Sequence, residues 1–231
     1  MNKDQSYKTS HILTVFLLLS GMLLVISASI AVPILIRPLY YLQMDAQHLT
    51  EVPIRLADGT RTLTRAEIIQ AYDEMMDFCT GRTAVFSTGI LAFSEEGRQH
   101  FVDVRGLFLL DLWVLGISGT IILGWGLLRK VIPLRTVRWK GKNVGFWSGI
   151  LLLGVFAVLG ILGAIDFDKF FTAFHHLFFP GKTNWVFDPR YDQIIKILPE
   201  EVFMMFALMI VCLILLSCGI LIWQGIKKPR R

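Results

Sequence analysis

Four long apolar stretches interrupt the polar parts of the chain and set its predicted architecture. They cover residues 12–36, 106–128, 144–165 and 202–226, and the only charged residue inside them is Asp111. A helix of about 20 apolar residues crosses the hydrocarbon core of a bilayer, and its backbone polar groups bond within the segment. The pattern therefore predicts an all-α membrane protein with four transmembrane helices.

The spans and the segments between them divide the chain into eight parts. These are residues 1–36 as the N-terminus and first span, 37–105 as a first outer segment, 106–128 as the second span, 129–143 as a basic loop, 144–165 as the third span, 166–201 as a second outer segment, 202–226 as the fourth span and 227–231 as a basic tail. The first outer segment has 69 residues, which is enough for a small cap but not for a large independent core.

Charge distribution predicts the orientation in the membrane. The N-terminus, the 129–143 loop and the C-terminal tail carry 12 Lys and Arg and one acid, whereas the two outer segments carry 11 Lys and Arg and 16 acids. Short basic loops stay in the cytoplasm. We therefore expect a multi-pass protein of the cell membrane with both termini in the cytoplasm. The net charge of +5 then follows from topology and gives no indication of a nucleic-acid partner.

The first outer segment contains signals for a hairpin and a helix. VPIRLADGTRTLT alternates apolar and polar residues on both sides of Asp58-Gly59, which predicts a β-hairpin. Thr64 and Glu67 have the spacing of a helix capping box. Apolar residues then recur at helical spacing until Gly81, a residue suited to end a helix. We expect a small extracytoplasmic cap made of this hairpin and amphipathic helices.

The residues before the second span, SEEGRQHFVDVRGLF, contain a candidate functional histidine. Ser94 followed by two acids is typical of a helix N-cap. On such a helix His100 and Asp103 share one face, at a spacing that lets a carboxylate orient an imidazole. A short hairpin around Glu95–Arg98, with His100 in a strand, is the alternative. Both arrangements place His100 close to the membrane surface.

The second outer segment contains the aromatic sequence FHHLFFPGKTNWVFDP. Phenylalanines from Phe167 to Phe178 recur at helical spacing, which is typical of an interfacial helix. Asp188 and Pro189 then fit the N-cap and first turn of another helix that runs to Leu198. Two outer segments that both carry histidine are thus expected to converge at one end of the helix bundle.

The adjacent histidines His175 and His176 point about 100° apart on a helix, so they cannot share one role. His175 lies on the face of Phe171 and Phe178, which favours it as the inward histidine and leaves His176 towards solvent or headgroups. Imidazole has a reference pKa of about 6.5 and exchanges protons readily at neutral pH. No Ser has a nucleophile-elbow pattern, so base-assisted transfer without an acyl-enzyme is the simplest chemistry.

Metal-binding spacings such as H-x-x-H and H-E-x-x-H are absent from the sequence, and its three cysteines form no metal-binding motif. We therefore expect no metal ion and no other cofactor. A metal site built from His100, His175 and an aspartate, acting in a hydrolase, is kept as a competing hypothesis.

Two sequence motifs resemble a known family. H-x-x-D-V before the second span and F-H-x-x-F-F followed by W-x-F-D-P and P-E before the fourth resemble the lipoprotein intramolecular transacylases, Lit, of Gram-positive bacteria. The resemblance covers nearly the whole chain. It implies a membrane acyltransferase that moves an acyl chain within a diacylglyceryl-lipoprotein, from the glyceryl sn-2 oxygen to the amino group of the N-terminal Cys. The product is a lyso-form lipoprotein, and membrane lipid is the surrounding partner.

The resemblance implies roles for individual residues. Its first histidine falls on His100 and its second on His175, which makes these the predicted catalytic pair. The predicted supporting residues are Asp103, His176, Trp185, Asp188 and Arg105. The residue after His175 is another histidine, so His176 stays an alternative for the second position.

Two further questions stay open from the sequence. The oxyanion of the tetrahedral intermediate needs a donor, and Trp185, Asn184, Arg105 or a backbone N–H are all candidates. The competing function is a non-catalytic binding or accessory protein that recognises lipid headgroups or a membrane partner, in which the histidines are contacts only.

Overall fold

A computed structural model of the protein describes residues 3–56, 59–132 and 136–226, with side chains from residue 11 onwards within those ranges. The helices are α1 (Lys3–Leu35), α2 (Pro38–Ala46), α3 (Arg65–Cys79), α4 (Glu95–Leu128), α5 (Val144–Ile165), α6 (Phe167–Phe178) and α7 (Glu200–Ile226). The strands are β1 (Pro53–Leu56) and β2 (Gly59–Thr62), and single 3-10 turns form at Leu49–Glu51 and Gln193–Lys196.

Four of the described helices are long and apolar enough to cross a membrane. They are His11–Leu35, Glu95–Leu128, Val144–Ile165 and Glu200–Ile226. The predicted all-α class with four transmembrane helices is therefore confirmed. α4 begins at Glu95 and continues into the second apolar stretch, so His100 lies on a helix and the alternative hairpin around Glu95–Arg98 is wrong.

The chain forms two compact units, and the first comprises Met1–Ile30, Asp111–Leu162 and Met209–Arg231. Apolar side chains from three helices meet in its core. These are the buried Leu152, Ile214 and Cys218, packed against Met22, Val25, Ile26, Phe156 and Ile210. Close packing of this kind is the main force that holds transmembrane helices together, since lipid is as apolar as the side chains.

Polar groups within the first unit bond to neighbouring chain atoms. The carboxylate of Asp111 forms a hydrogen bond with Ser27, a buried serine of α1. The hydroxyl of Ser148 on α5 donates to the carbonyl of Leu18 on α1 at 3.2 Å. Hydrogen bonds of this kind lower the cost of a polar side chain in an apolar helix bundle.

The second unit comprises Ala31–Leu110 and Gly163–Leu208. Its hairpin pairs β1 with β2 in antiparallel register, and Leu56 is paired with Gly59. Asp58, part of the predicted turn, lies outside the described residues. The capping box is confirmed, because Thr64 accepts from the backbone N–H of Glu67 while the Glu67 side chain accepts from that of Thr64.

Aromatic stacking and ion pairs join the helices of the second unit. The rings of Tyr40 on α2 and Tyr72 on α3 stack with centroids 3.8 Å apart. The Tyr40 hydroxyl donates to the carbonyl of Ile197 at 2.7 Å, which links α2 to the second outer segment. Arg37 pairs with Asp73 and Asp77 on α3, at 3.3 and 2.5 Å. These contacts hold the cap helices against the chain that precedes α7.

The predicted helix from Pro189 to Leu198 is wrong. Only the single turn Gln193–Lys196 forms there, because side chains of this segment form hydrogen bonds that compete with a helix. Asp188 accepts from the backbone N–H and the guanidinium of Arg190, instead of capping a helix. Local bonds from an Asp side chain compete in this way with helix formation.

Candidate active site

The start of α4, which carries His100, is fixed by a residue from the other outer segment. Ser94 caps the helix, since its hydroxyl accepts from the backbone N–H of Gly97 at 2.9 Å. The buried carboxylate of Asp192 accepts from the backbone N–H of Ser94 at 2.8 Å and from its hydroxyl at 2.9 Å. A negative charge at a helix N-terminus is stabilising. We call this group of Ser94, Gly97 and Asp192 the α4 clasp.

The clasp has no room for a larger residue at Gly97. A Cβ atom there would lie 2.0 Å from Oδ1 of Asp192. Gln193, which follows Asp192, connects the same turn to two further segments. Its side chain accepts from the backbone N–H of Ala92 at 2.9 Å and donates to the carbonyl of Arg55 in β1. One short turn of the second outer segment therefore fixes both the hairpin and the start of α4.

His100 and His175 lie together in an aromatic cluster. Their side chains are buried, with 5% and 8% exposure, and their ring centroids are 5.9 Å apart. Phe179 and Phe187 pack edge-on against His100 at 4.9 and 5.4 Å. Trp185 stacks on His175 at 4.7 Å. Edge and stacked contacts of this kind restrict ring orientation, so the cluster holds both imidazoles in defined positions.

The two imidazoles differ in their hydrogen bonds. Nδ1 of His175 lies 2.8 Å from the carbonyl oxygen of Phe171. A carbonyl only accepts, so Nδ1 carries the proton and Nε2 of the neutral ring keeps its lone pair. Nδ1 of His100 is buried and has no hydrogen-bond partner among the described residues. His175 is thus oriented as a base, whereas His100 keeps an unused polar atom inside the cluster.

Burial keeps both histidines neutral. His100 precedes the apolar part of α4, and burial, followed by repulsion from His175, lowers its pKa to about 4. Burial is also the largest cause that lowers the pKa of His175, although the hydrogen bond to Phe171 opposes it. Desolvation disfavours the charged imidazolium. At neutral pH both rings are therefore available to accept a proton.

Asp103 does not orient His100 through a hydrogen bond. Its two carboxylate oxygens accept from Lys182 at 2.6 Å and from Asn184 at 3.2 Å. Burial opposes ionisation, but these two donors lower the pKa of Asp103 below its ordinary value. The aspartate that the sequence assigned to the histidine therefore holds the loop between α6 and Trp185.

Two of the candidate oxyanion donors already have backbone partners. The indole N–H of Trp185 donates to the carbonyl of Lys182 at 3.0 Å. The guanidinium of Arg105 donates to the carbonyls of Phe78 and Thr83 at 2.7 and 2.6 Å. Arg105 therefore closes the end of α3 and does not join the hydrogen bonds of the histidine cluster.

The remaining predicted residues lie at the edge of the cluster. His176 is exposed and meets Trp185 edge-on at 5.4 Å, as expected for the outward member of the pair. Asp188 pairs with Arg190 at 2.6 Å, and this pairing lowers the pKa of Asp188 to about 2. Within the described ranges, no three His, Cys, Asp or Glu side chains are grouped to hold a metal ion.

An apolar groove of about 480 Å³ adjoins the cluster. Its lining residues are Val102, Asp103, Gly106, Leu107, Leu110, Phe178, Phe179, Pro180 and Lys182. Phe179 belongs to both the groove and the aromatic cluster, so one end of the groove lies beside His100. The shape and polarity of the groove suit an acyl chain whose ester end lies near Asp103 and Lys182.

Four residues of the site were not assigned a role from the sequence: Phe179, Lys182 and Phe187 around the histidines, and Asp192 in the α4 clasp. Phe179 and Phe187 belong to the aromatic sequence FHHLFFPGKTNWVFDP, so their closeness to His175 in the sequence could have predicted that they pack near the histidines. Asp192 gave no signal, because its partner Ser94 is 98 residues away.

Comparison with known proteins gives one consistent result. The family model described as lipoprotein intramolecular transacylase Lit matches residues 15–203. A solved structure of the membrane-integral lipoprotein intramolecular transacylase Lit from Bacillus cereus is 27% identical, with a TM-score of 0.77 and 92% of each chain covered. No curated protein sequence matches the chain significantly.

Two more solved structures of the Bacillus cereus protein are similar to this chain. Each has one histidine replaced, by arginine in one and by alanine in the other. Both are 27% identical with a TM-score of 0.70 and cover 93% of this chain, and 89% and 90% of their own. The family match extends over most of the sequence and includes both histidine segments, so the chain belongs to the lipoprotein intramolecular transacylase (Lit) family.

Proposed function

We propose that the protein transfers an acyl chain from the glyceryl sn-2 oxygen to the amino group of the N-terminal Cys of a diacylglyceryl-lipoprotein. Family membership supports intramolecular transacylation of lipoproteins as the general activity. The observation that carries the finer proposal is the buried pair of neutral histidines beside an apolar groove. The amine and the ester belong to one molecule, so positioning alone provides much of the rate.

The two histidines move the proton that the reaction must transfer. Nε2 of His175 takes a proton from the attacking amine as the new C–N bond forms, because its lone pair is free while Nδ1 is fixed by Phe171. The proton then passes from His175 to His100, and the His100 imidazolium gives it to the leaving sn-2 oxygen. The net result is one hydrogen moved from nitrogen to oxygen, with no acyl-enzyme.

Substrate ionisation sets a second requirement. An α-amino group has a pKa of about 7.7–8.0, so only a fraction of the substrate has a neutral, nucleophilic amine at pH 7. The buried aromatic cluster favours that neutral form over the ammonium, since burial penalises charge. The same environment keeps the histidines neutral, and all three nitrogen groups are then in the state that the reaction needs.

The charge distribution supports an active site on the outer leaflet. Basic residues are concentrated at the termini and in the 129–143 loop, which we assign to the cytoplasm. Both histidines then lie in outer segments at the depth of the lipid headgroups, where the ester and the amine of a lipoprotein are found. Surrounding membrane lipid would occupy the groove when substrate is absent.

Tandem mass spectrometry of a diacylated model lipoprotein tests the proposal, because the transfer leaves the total mass unchanged and only fragment ions show which atom carries the acyl chain. Cells with the wild-type protein should give a lyso-form product with one acyl chain on the amine. His100→Ala and His175→Ala, made at equal protein levels, should abolish the shift, while His176→Ala is the matched control and should retain it. Unshifted lipoprotein in wild-type cells would instead support a non-catalytic binding protein.

A further inference from the structure

The reaction needs a donor for the oxyanion, and each of the three side chains named from the sequence already donates to another group. Trp185 and Arg105 donate to backbone carbonyls, and the amide of Asn184 donates to Asp103. Donors placed at a developing oxyanion are often the largest single contribution to catalysis. A charged side chain beside the groove, without a backbone partner, is therefore a stronger candidate for this donor.

Lys182 lies near residues that contact the two histidines. Its ammonium lines the groove together with Phe179, which packs on His100. Its backbone carbonyl accepts from the indole of Trp185, which stacks on His175. Lys182 is thus part of the surroundings of both imidazoles, and its positive charge contributes to the electrostatic field at His100.

The ammonium is held in place but not fully used. Nζ donates to Oδ1 of Asp103 at 2.6 Å, and the described chain gives it no second hydrogen-bond partner. An ammonium has three donors, so two remain. The Lys182 side chain is 45% exposed, whereas that of Asp103 is 15% exposed, which leaves the donors on the open side of the ion pair.

We propose that Lys182 is the oxyanion donor of the acyl transfer and that Asp103 is the residue that positions it. The inference rests on the proposed acyl transfer. The amine lone pair attacks the sn-2 carbonyl carbon while His175 takes a proton from the amine, and the π electrons of the carbonyl move to its oxygen, which Lys182 stabilises. The carbonyl then re-forms as the C–O bond to glycerol breaks, and the leaving oxygen takes the proton from His100.

This role accounts for Asp103 better than a direct bond to His100. A positive charge without a partner would be free to move in the groove, whereas the Asp103 carboxylate fixes it beside the ester. Charged donors form stronger hydrogen bonds than neutral amides do. Lys182 therefore stabilises the oxyanion more strongly than the amide of Asn184, which shares the same carboxylate.

The test compares two analogues of a synthetic diacylglyceryl lipopeptide in detergent micelles. One has a phosphonate monoester at sn-2, an anionic and tetrahedral mimic of the intermediate, and the other has a neutral sn-2 ether. Wild type should bind the phosphonate more tightly, and Lys182→Met should remove most of that preference without weakening the ether. With the ester substrate, Lys182→Met should lower kcat by about 10²–10³-fold and leave KM unchanged.

Three controls keep the result interpretable. Lys182→Arg retains a charge and should keep part of the preference, and Asp103→Asn should lose part of it. Lys169→Met removes an exposed charge on α6 and should leave the binding affinity for both analogues unchanged. Thermal unfolding of each variant checks that the fold is intact.

Equal losses for both analogues, or a higher KM with unchanged kcat, would overturn the inference in favour of a headgroup contact or a structural role. An active wild type together with a fully active Lys182→Met would also overturn it and leave the proposed acyl transfer standing. A wild type that fails to convert the ester lipopeptide would instead remove the proposed function itself.

Discussion

His100 lies on the second turn of the long helix α4, whereas His175 lies on the last turn of the short helix α6. The first is positioned by backbone architecture, because the α4 clasp fixes the start of its helix through Asp192. The second is positioned by its own contacts, namely the carbonyl of Phe171 and the indole of Trp185. Each imidazole thus has a support that the other lacks, although Phe179 contacts both rings.

The difference indicates which changes should disturb which histidine. A substitution in the clasp acts on the whole start of α4 and on the fold, and it reaches His100 only indirectly. A substitution of Trp185 acts on the orientation and ionisation of His175 and leaves α4 intact. Stability and kcat should therefore respond separately in the two segments.

Removal of the clasp carboxylate is expected to have the largest effect on stability. Asp192→Ala leaves the partly buried N–H and hydroxyl of Ser94 without their acceptor, which should cost about 3 kcal/mol of unfolding free energy. Denaturation in detergent measures this, and kcat should fall with it. Asp188→Ala, an acid four residues earlier that pairs with Arg190, is the control. Equal stability of the two variants would show that the clasp does not hold α4.

Acid titration separates the two histidines by their pKa values. A histidine with the ordinary pKa of about 6.5 would be neutral in only about 3% of molecules at pH 5. Because burial lowers both pKa values, and that of His100 to about 4, His100 should stay largely neutral well below pH 6.5 and His175 should become charged only below its ordinary value. Activity that depends on neutral imidazole is then lost only as the pH falls through these lowered values.

The pH–rate profile provides the measurement. Ionisation of the substrate amine alone should give a slope of about 1 for log kcat/KM between roughly pH 6 and 7.5. The slope should steepen only at lower pH, where the histidines take up protons. NMR of labelled imidazoles should show both rings titrating below pH 6.5, with His100 titrating near pH 4. A break near pH 6.5 would contradict the burial of the pair.

Loss of the indole is expected to affect catalysis moderately. Trp185→Ala removes the ring that stacks on His175 and the N–H that binds the carbonyl of Lys182. An aromatic pair contributes about 1 kcal/mol beyond its buried area, so kcat should fall about fivefold. The His175 pKa should rise towards its ordinary value as water reaches the ring. Trp185→Phe, which keeps a stacking ring, should recover most of the rate.

Local patterns predicted the parts of this molecule that depend on near neighbours in sequence. The four spans, the hairpin, the capping box of Thr64 and Glu67, and the N-cap at Ser94 all follow from periodicity or short spacings. The burial of His175 rather than His176 also followed, because a helical face is defined by residues three and four apart.

Contacts between distant segments could not be predicted from the sequence, for a physical reason. Asp103 is three residues from His100, yet its carboxylate binds Lys182, 79 residues away, because an ammonium is the stronger partner for a half-buried carboxylate. Pro189 to Leu198 stays irregular for the same reason, since Gln193 bonds to the distant backbones of Ala92 and Arg55. No local spacing encodes such pairs.

The smallest effect is expected for His176→Ala, which compares the outward histidine with its neighbour His175. His176 is exposed and touches only the edge of Trp185, so His176→Ala should change the free energy of unfolding by no more than about 0.5 kcal/mol. Its kcat should stay close to that of wild type, because the imidazole has neither the burial nor the fixed Nδ1 of His175. Turnover of the model lipoprotein by the two alanine variants, purified in parallel, measures this. An inactive His176→Ala beside an active His175→Ala would transfer the proton-accepting role to the outward ring, and the free Nε2 of His175 would then have no part in the reaction.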